Sequence, residues 1–258
     1  MKLYLKYFSI QLKSVMQYKT SFFLTSIGQC LTTFFSFLSM YFLFTRFGSI
    51  KNYSFNEVLL CFSTIFMSFA LAECFGRGFD AFPSIISDGS FDRILVRPRN
   101  EVLQVLGTKI ELTRIGRLIE ALIVFIYSLK TCGVYFSPDK IFTLALMIIG
   151  GTFLFFGLFI ISAVICFFTI ESLEIINIFT DGGRELAQYP LDIYKNFVLK
   201  FFTYIIPLAF VNYYPLLYII GKSHNVLYMF SPIIACLFII PSFILWKFGV
   251  RHYVGTGS

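Results

Sequence analysis

Four stretches of this chain, residues 21–45, 141–170, 201–221 and 225–246, contain no Asp, Glu, Lys or Arg. A helix that crosses a bilayer needs about 20 mostly apolar residues, because nothing in the hydrocarbon satisfies backbone N–H and C=O groups except the helix itself. Each stretch meets that length, and a soluble fold would leave far too much apolar surface in water. Two further stretches are apolar but interrupted: residues 57–79 carry Glu73 and Arg77, and residues 114–136 carry Arg114, Arg117, Glu120 and Lys130. Charged residues make up 14% of the chain, against about 25% in soluble domains. The expected fold class is therefore an all-α membrane protein, a bundle of six transmembrane helices spanning 21–45, 57–79, 114–136, 141–170, 199–220 and 225–247. The first of these follows a 20-residue lead and lacks an A-x-A-like cleavage site, so it reads as a retained helix rather than a secretory signal.

Basic residues then set the orientation, because cytoplasmic loops concentrate Lys and Arg. With the N-terminus inside, inner segments hold 16 of the 21 Lys and Arg, including seven between Arg77 and Arg117 and three at Arg184, Lys195 and Lys200. Both termini and the 80–113 loop are expected in the cytoplasm. Segment 171–198, with Glu171, Glu174, Asp181 and Glu185, reads as a cytosolic or interfacial loop. Residues 1–20 read as an amphipathic helix at the membrane surface, with Lys2, Lys6 and Lys13 opposite Leu5, Phe8, Leu12 and Val15. A plain cytosolic extension of the first span fits the same pattern.

Within the 80–113 loop, Asp88-Gly89 signals a turn and Pro98 a stop, with a short helix between them. Phe91, Ile94 and Leu95 share one face of that helix at i, i+3 and i+4, and Arg93, Arg97 and Arg99 surround it. Such a helix buries its apolar face either in another protein or on its own bundle. The spacings Glu73/Arg77 and Arg117/Glu120 predict two ion pairs within single helices. Pro207 and Pro215 predict a bent or broken fifth span near the outer face. Gly150-Gly151 suggests a close helix contact.

No H-E-x-x-H is possible with only His224 and His252, no G-x-S-x-G occurs, and Gly221-Lys222-Ser223 lacks the first glycine of a P-loop, since position 216 is Leu216. Catalytic residues, metal ligands and a bound cofactor are not expected in this chain. Six cysteines without a C-x-x-C read as small buried hydrophobes.

The run Gly89-Ser90-Phe91-Asp92, continuing through Leu95-Val96-Arg97-Pro98-Arg99-Asn100, resembles the ABC-2-type permeases, the membrane subunits of ATP-binding-cassette exporters. So do Tyr189-Pro190-Leu191-Asp192-Ile193-Tyr194, the run from Ile206-Pro207 to Tyr214-Pro215, and the ending Tyr253-Val254-Gly255-Thr256-Gly257-Ser258. The resemblance implies a six-helix permease with cytosolic termini, in the plasma membrane of a bacterial cell. It implies pairing with a second permease, identical or related, and with two copies of an ATPase subunit that would bind ATP and Mg. The helix containing Phe91–Leu95 would be the coupling helix that enters a groove of the ATPase. Family substrates range over drugs, peptides, lipids and polysaccharides. The alternative reading is a self-sufficient channel or secondary transporter that uses Glu73, Glu120 or Glu171.

Overall fold

The computed structural model describes residues 2–135, 137–169 and 174–255. Among them are fourteen α-helices in chain order: α1 (Lys2–Gln17), α2 (Lys19–Phe47), α3 (Phe55–Asp80), α4 (Phe82–Ser87), α5 (Ser90–Val96), α6 (Glu101–Thr108), α7 (Ile115–Thr131), α8 (Pro138–Thr169), α9 (Glu174–Ala187), α10 (Asn196–Tyr204), α11 (Ala209–Ile219), α12 (Leu227–Phe230), α13 (Pro232–Leu237) and α14 (Ile239–Arg251). The chain is all-helical among the described residues. Four continuous stretches are long and apolar enough to cross a membrane: Lys19–Phe47, Phe55–Ser87, Pro138–Thr169 and Leu227–Arg251. The α10–α11 pair adds a fifth if it counts as one span, although its halves meet at 109°. The expected third span is α7, only 17 residues long.

Local sequence explains where these helices begin and stop. Ser54 and Glu57 form a reciprocal capping box at the start of α3, the Glu57 carboxylate accepting from Ser54 N at 2.7 Å and the Ser54 hydroxyl from Glu57 N at 3.4 Å. Gly48, at φ +74° and ψ −54°, ends α2 in a γ-turn closed by Ser49 N donating to the Phe47 carbonyl at 2.8 Å, a conformation that a residue with a Cβ would resist. Helix α5 stops at Val96, two residues before Pro98, because the residue preceding a proline avoids helical backbone angles.

Helices α3 and α8 form the centre. Helix α8 packs on α3, α11, α13 and α14, while α3 also packs on α7. The spanning window of Phe55–Ser87 is 89% buried, against 17% for Lys19–Phe47, so α3 is an internal helix and α2 a peripheral one. Gly150 and Gly151 are the expected close-contact positions: a Cβ on Gly151 would lie 2.6 Å from Ser68 Oγ, and one on Gly150 2.7 Å from the Pro232 carbonyl. Helix α1 lies against α6, with Gln11 Nε2 donating to the Thr108 carbonyl at 3.0 Å and Tyr4 OH to the Phe75 carbonyl at 3.2 Å. Helices α1, α4–α6 and residues 252–255 share one end of the bundle; residues 48–53 and 220–226 lie at the other. All six cysteines are free thiols.

Two expectations change. Residues 174–193 do not form a loop at the end that carries α5. Helix α9 packs along α3 and α8, the Ala187 carbonyl accepts from Cys61 Sγ at 3.5 Å, and Tyr53 OH donates to Asp192 at 3.1 Å. The segment thus reaches the opposite end, and Arg184, Lys195 and Lys200 all leave the inner-loop charge count. The reason is amphipathicity: Thr180, Gly183 and Ala187 turn one buried stripe to the bundle, while Asp181 and Glu185 stay on the other face. Glu171 lies outside the described residues. The proline break also differs. Pro207 sits between α10 and α11 where Leu208 meets Gly183, near mid-height rather than near the outer end, and Pro215 lies inside continuous, buried α11.

Gly78 is the tightest test of this packing, since a Cβ there would collide with the backbone of Val105 and Leu106 in α6. Gly78→Ala is expected to cost about 1–3 kcal/mol by overpacking and to lower the melting temperature in detergent. Gly28→Ala, whose Cβ meets nothing within 4 Å, should leave it unchanged or raise it. Equal melting of both variants would refute the close α3–α6 approach.

Candidate functional site

Helix α5 begins after Gly89, whose φ of +63° makes the turn that Asp88-Gly89 signalled. Phe91 is fully buried and Ile94 nearly so, both in their own bundle. The Phe91 ring lies 5.1 Å from Phe82, 5.3 Å from Phe167, 6.1 Å from Trp246 and 5.1 Å from Tyr253. Of the two destinations open to that apolar face, the bundle takes Phe91 and Ile94, which corrects the expectation that all three residues enter a groove of the ATPase. A face of three residues turns two inward: the aromatic pocket formed by α4, α8 and α14 takes Phe91, and Ile94 is buried in the same apolar core. The outward apolar group is Leu95 with Val96, 41% and 84% exposed, flanked by exposed Arg93, Arg97, Pro98 and Arg99. Arg93 donates to Ser90 Oγ at 2.9 Å, and Asp92 lies beside the chain at Gly255. Gln104 Nε2, donating to the Ile94 and Arg99 carbonyls at 3.1 Å each, ties the end of α5 to α6.

About two turns into the bundle from that end, Glu73 of α3 is almost fully buried. It meets Arg117 at 3.1 Å, Arg114 at 3.2 Å and Arg77 at 3.5 Å. Glu111 adds contacts to Arg114 at 2.7 Å and to Arg77 at 3.6 Å, and Asp80 pairs with Arg77. From α2, Gln29 and Thr32 accept from Arg114 and Arg117. Burial pushes the Glu111 carboxyl up, but Arg77, Arg114 and Lys109 outweigh it and hold that group below the usual carboxylate range. The Glu73–Arg77 pair forms as expected. The Arg117–Glu120 pair does not: Arg117 turns to Glu73, and Glu120 Oε2 is buried without a hydrogen-bond partner among the described residues. Spacing along one helix cannot reveal a competing carboxylate 44 residues away.

Sequence reasoning missed Arg184. Its guanidinium carbon lies 4.8 Å from the Phe69 ring centroid and 5.3 Å from that of Phe66, a cation–π arrangement. Phe69 is about 21 Å along α3 from Phe55 and about 17 Å from Asp80, at 1.5 Å per residue, so Arg184 sits near mid-height. Beside it, the Asp181 and Glu185 side chains, 57% and 49% exposed, pair with Arg184. The only sequence signal was the 3.6-residue alternation in 177–188, hidden by reading its acids as a loop.

Glu73→Gln should cost about 3–5 kcal/mol, because it leaves buried arginines facing an amide. Thermal unfolding in detergent checks this, with Glu120→Gln as the comparison expected to stay near wild type. A Glu73→Gln protein that melts like wild type would remove the network from its structural role.

Among curated proteins, a sequence search finds no match. A family profile described as ABC-2 family transporter protein matches residues 30–257, nearly the whole chain. The apolar helices at the centre of the fold and this match agree: the chain belongs to the ABC-2 family of transporter proteins and is a multi-pass membrane permease of an ABC transporter.

Proposed function

We propose that this permease is the membrane half of an exporter, pairing with a second permease, identical or related, and driven by two copies of a separate ATPase that binds ATP and Mg. In this reading α2, α3, α7, α8, α9 and the α12–α14 run make six crossings, while α10–α11 enters from the outer end and returns to it; both termini face the cytoplasm of a bacterial cell, α1 lies at the inner surface, and α5 meets the ATPase.

The observation that carries the reading is the polar face of α9. Asp181 and Glu185 are exposed and pair with Arg184, which lies over Phe69 at the level of the bilayer interior. Exposed carboxylates at that depth are costly against lipid and belong where water or protein faces them. One chain leaves this face open, so a second permease is what would enclose it as a polar route. The rival, a self-sufficient carboxylate-driven transporter, is weakened by the state of Glu73, which is held by three arginines instead of being free to take up and release a proton.

Coupling through α5 then rests on Leu95 and Val96, not on Phe91. Burial in an ATPase groove would contribute up to roughly 1.5–3 kcal/mol per apolar side chain, while the flanking arginines, as exposed ion pairs, add about 0–1 kcal/mol each. Leu95→Asp and Val96→Asp are expected to melt like wild type and to lose co-purification of a P-loop ATPase, with Arg99→Ala only weakened. Phe91→Ala, which opens a cavity in the aromatic pocket, should instead destabilise the permease by about 3–5 kcal/mol. Retention of the ATPase by both aspartate variants would overturn the coupling assignment.

A further inference from the structure

Above the arginine cluster, α2 and α7 separate to leave a groove of about 530 Å³ that opens sideways from the bundle. Phe34 and Phe37 of α2 and Ile119, Ile123 and Tyr127 of α7 line it. Phe34, Ile119, Ile123 and Tyr127 are exposed, so the groove mouth faces out of the chain. Its one carboxylate is Glu120, and a carboxylate oxygen there is buried without a partner among the described residues. The neighbouring charge on α7, Arg117, is committed to Glu73 and Thr32. The facing ionisable group on α2 is Cys30, a neutral thiol with no cation to offer.

The size, the apolar walls and the few polar groups, Glu120 the one charged residue among them, have the proportions of a small-molecule site. A hydrocarbon tail would fill the walls and leave the carboxylate unsatisfied, at the cost that isolated ionisable groups carry in the membrane. A water-soluble cation would satisfy the carboxylate and waste the walls. An amphiphilic monocation does both: its N–H donates to Glu120, and its aromatic or alkyl body lies against Phe34, Phe37 and Tyr127, whose ring faces also favour a cation. We propose that the α2–α7 groove binds a membrane-partitioned organic ammonium, with Glu120 as the anion that holds its charge.

Any part this site plays in transport rests on the permease reading; the binding itself does not. Rhodamine 6G, an aromatic cation with N–H donors, is the probe, titrated by fluorescence anisotropy against the full chain in nanodiscs, with empty nanodiscs as background. Wild type is expected to bind it saturably. Glu120→Gln should weaken binding by about tenfold or more, the worth of a lost charge-assisted contact, at an unchanged melting temperature. Ile123→Trp, which fills the groove and keeps the carboxylate, should weaken it as well. Three results would each overturn the site: no saturable binding by wild type, equal binding by Glu120→Gln, or equally tight competition by an uncharged amphiphile of similar body. ATPase retrieval measured on the same preparation separates the two readings, since its persistence without dye binding would remove the groove alone.

Discussion

One carboxylate, Glu73, holds the guanidinium groups of Arg77, Arg114 and Arg117 inside the bundle. These come from α3 itself, from the turn at Leu112–Arg114 and from α7, and two of them also reach Gln29 and Thr32 of α2. None of these charges can remain buried unless the others arrive, since an unpaired guanidinium at that depth carries a penalty of several kcal/mol. The network therefore works as a condition on assembly more than as a source of stability. It sets the height and rotation of α7 against α3, which in turn decides what every other side chain on α7 faces. Because Arg117 is drawn to Glu73, Glu120 is left without its local partner and stands at the groove between α2 and α7.

The same hierarchy separates the helices by what surrounds them. Helix α3 is enclosed by protein and α8 covers it with one face, so small residues such as Ser68, Gly150 and Gly151 at their contacts allow close approach where lipid offers no competing hydrophobic drive. Helix α2 buries little and presents Phe23, Leu24, Ile27, Leu31 and Phe35 outward, the surface expected of a helix at the rim. Helix α9 is the exception, with a charged face at mid-height and an apolar stripe behind it. Its inner attachment is secured by polar contacts that the surrounding chain supplies: Asn212 donates to the Ala187 and Tyr189 carbonyls, and Tyr194 OH to that of Leu186. These contacts satisfy the carbonyls at the end of α9 within the protein, so the helix can end inside the bundle.

What was legible in the sequence follows from the range of each interaction. The long apolar stretches were readable because backbone satisfaction in lipid is a local requirement that fixes length and composition together. The turn at Asp88-Gly89, the stop before Pro98 and the Gly150-Gly151 contact were readable for similar reasons. Periodicity in α5 gave a face of Phe91, Ile94 and Leu95 but not what it meets: an aromatic pocket built from Phe82, Phe167 and Trp246 claimed Phe91, and the bundle core took Ile94. Arg117 was assigned to Glu120 by spacing, whereas its partner is brought near only by folding. Segment 171–198 was read as a loop because its acids are dense. In α9, Asp181 and Glu185 occupy one side, and the opposite side, Thr180, Gly183 and Ala187, is too short and too small to stand out as an apolar run.

The pocket that takes Phe91 has a mechanical consequence. Phe82, Phe91, Phe167, Trp246 and Tyr253 form a set of rings with neighbouring centroids about 5–6 Å apart, mostly edge to face. They belong to α4, α5, α8, α14 and the segment after it. Close-packed interiors transmit displacement instead of absorbing it. A force applied to Leu95 and Val96 would thus move Phe91 and, through it, the ends of α8 and α14, while the Gln104 contacts keep α5 from swinging free of α6. Helix α8 is the partner of α3, α11, α13 and α14, so displacement entering at α5 reaches the central helix directly. Three stretches remote in sequence converge on this joint, and two of them contain the α5 run and the Tyr253–Gly255 ending, which are among those that carry the family resemblance. Their contact gives a physical reason for the two to occur together in one chain: the tail closes the pocket that anchors α5.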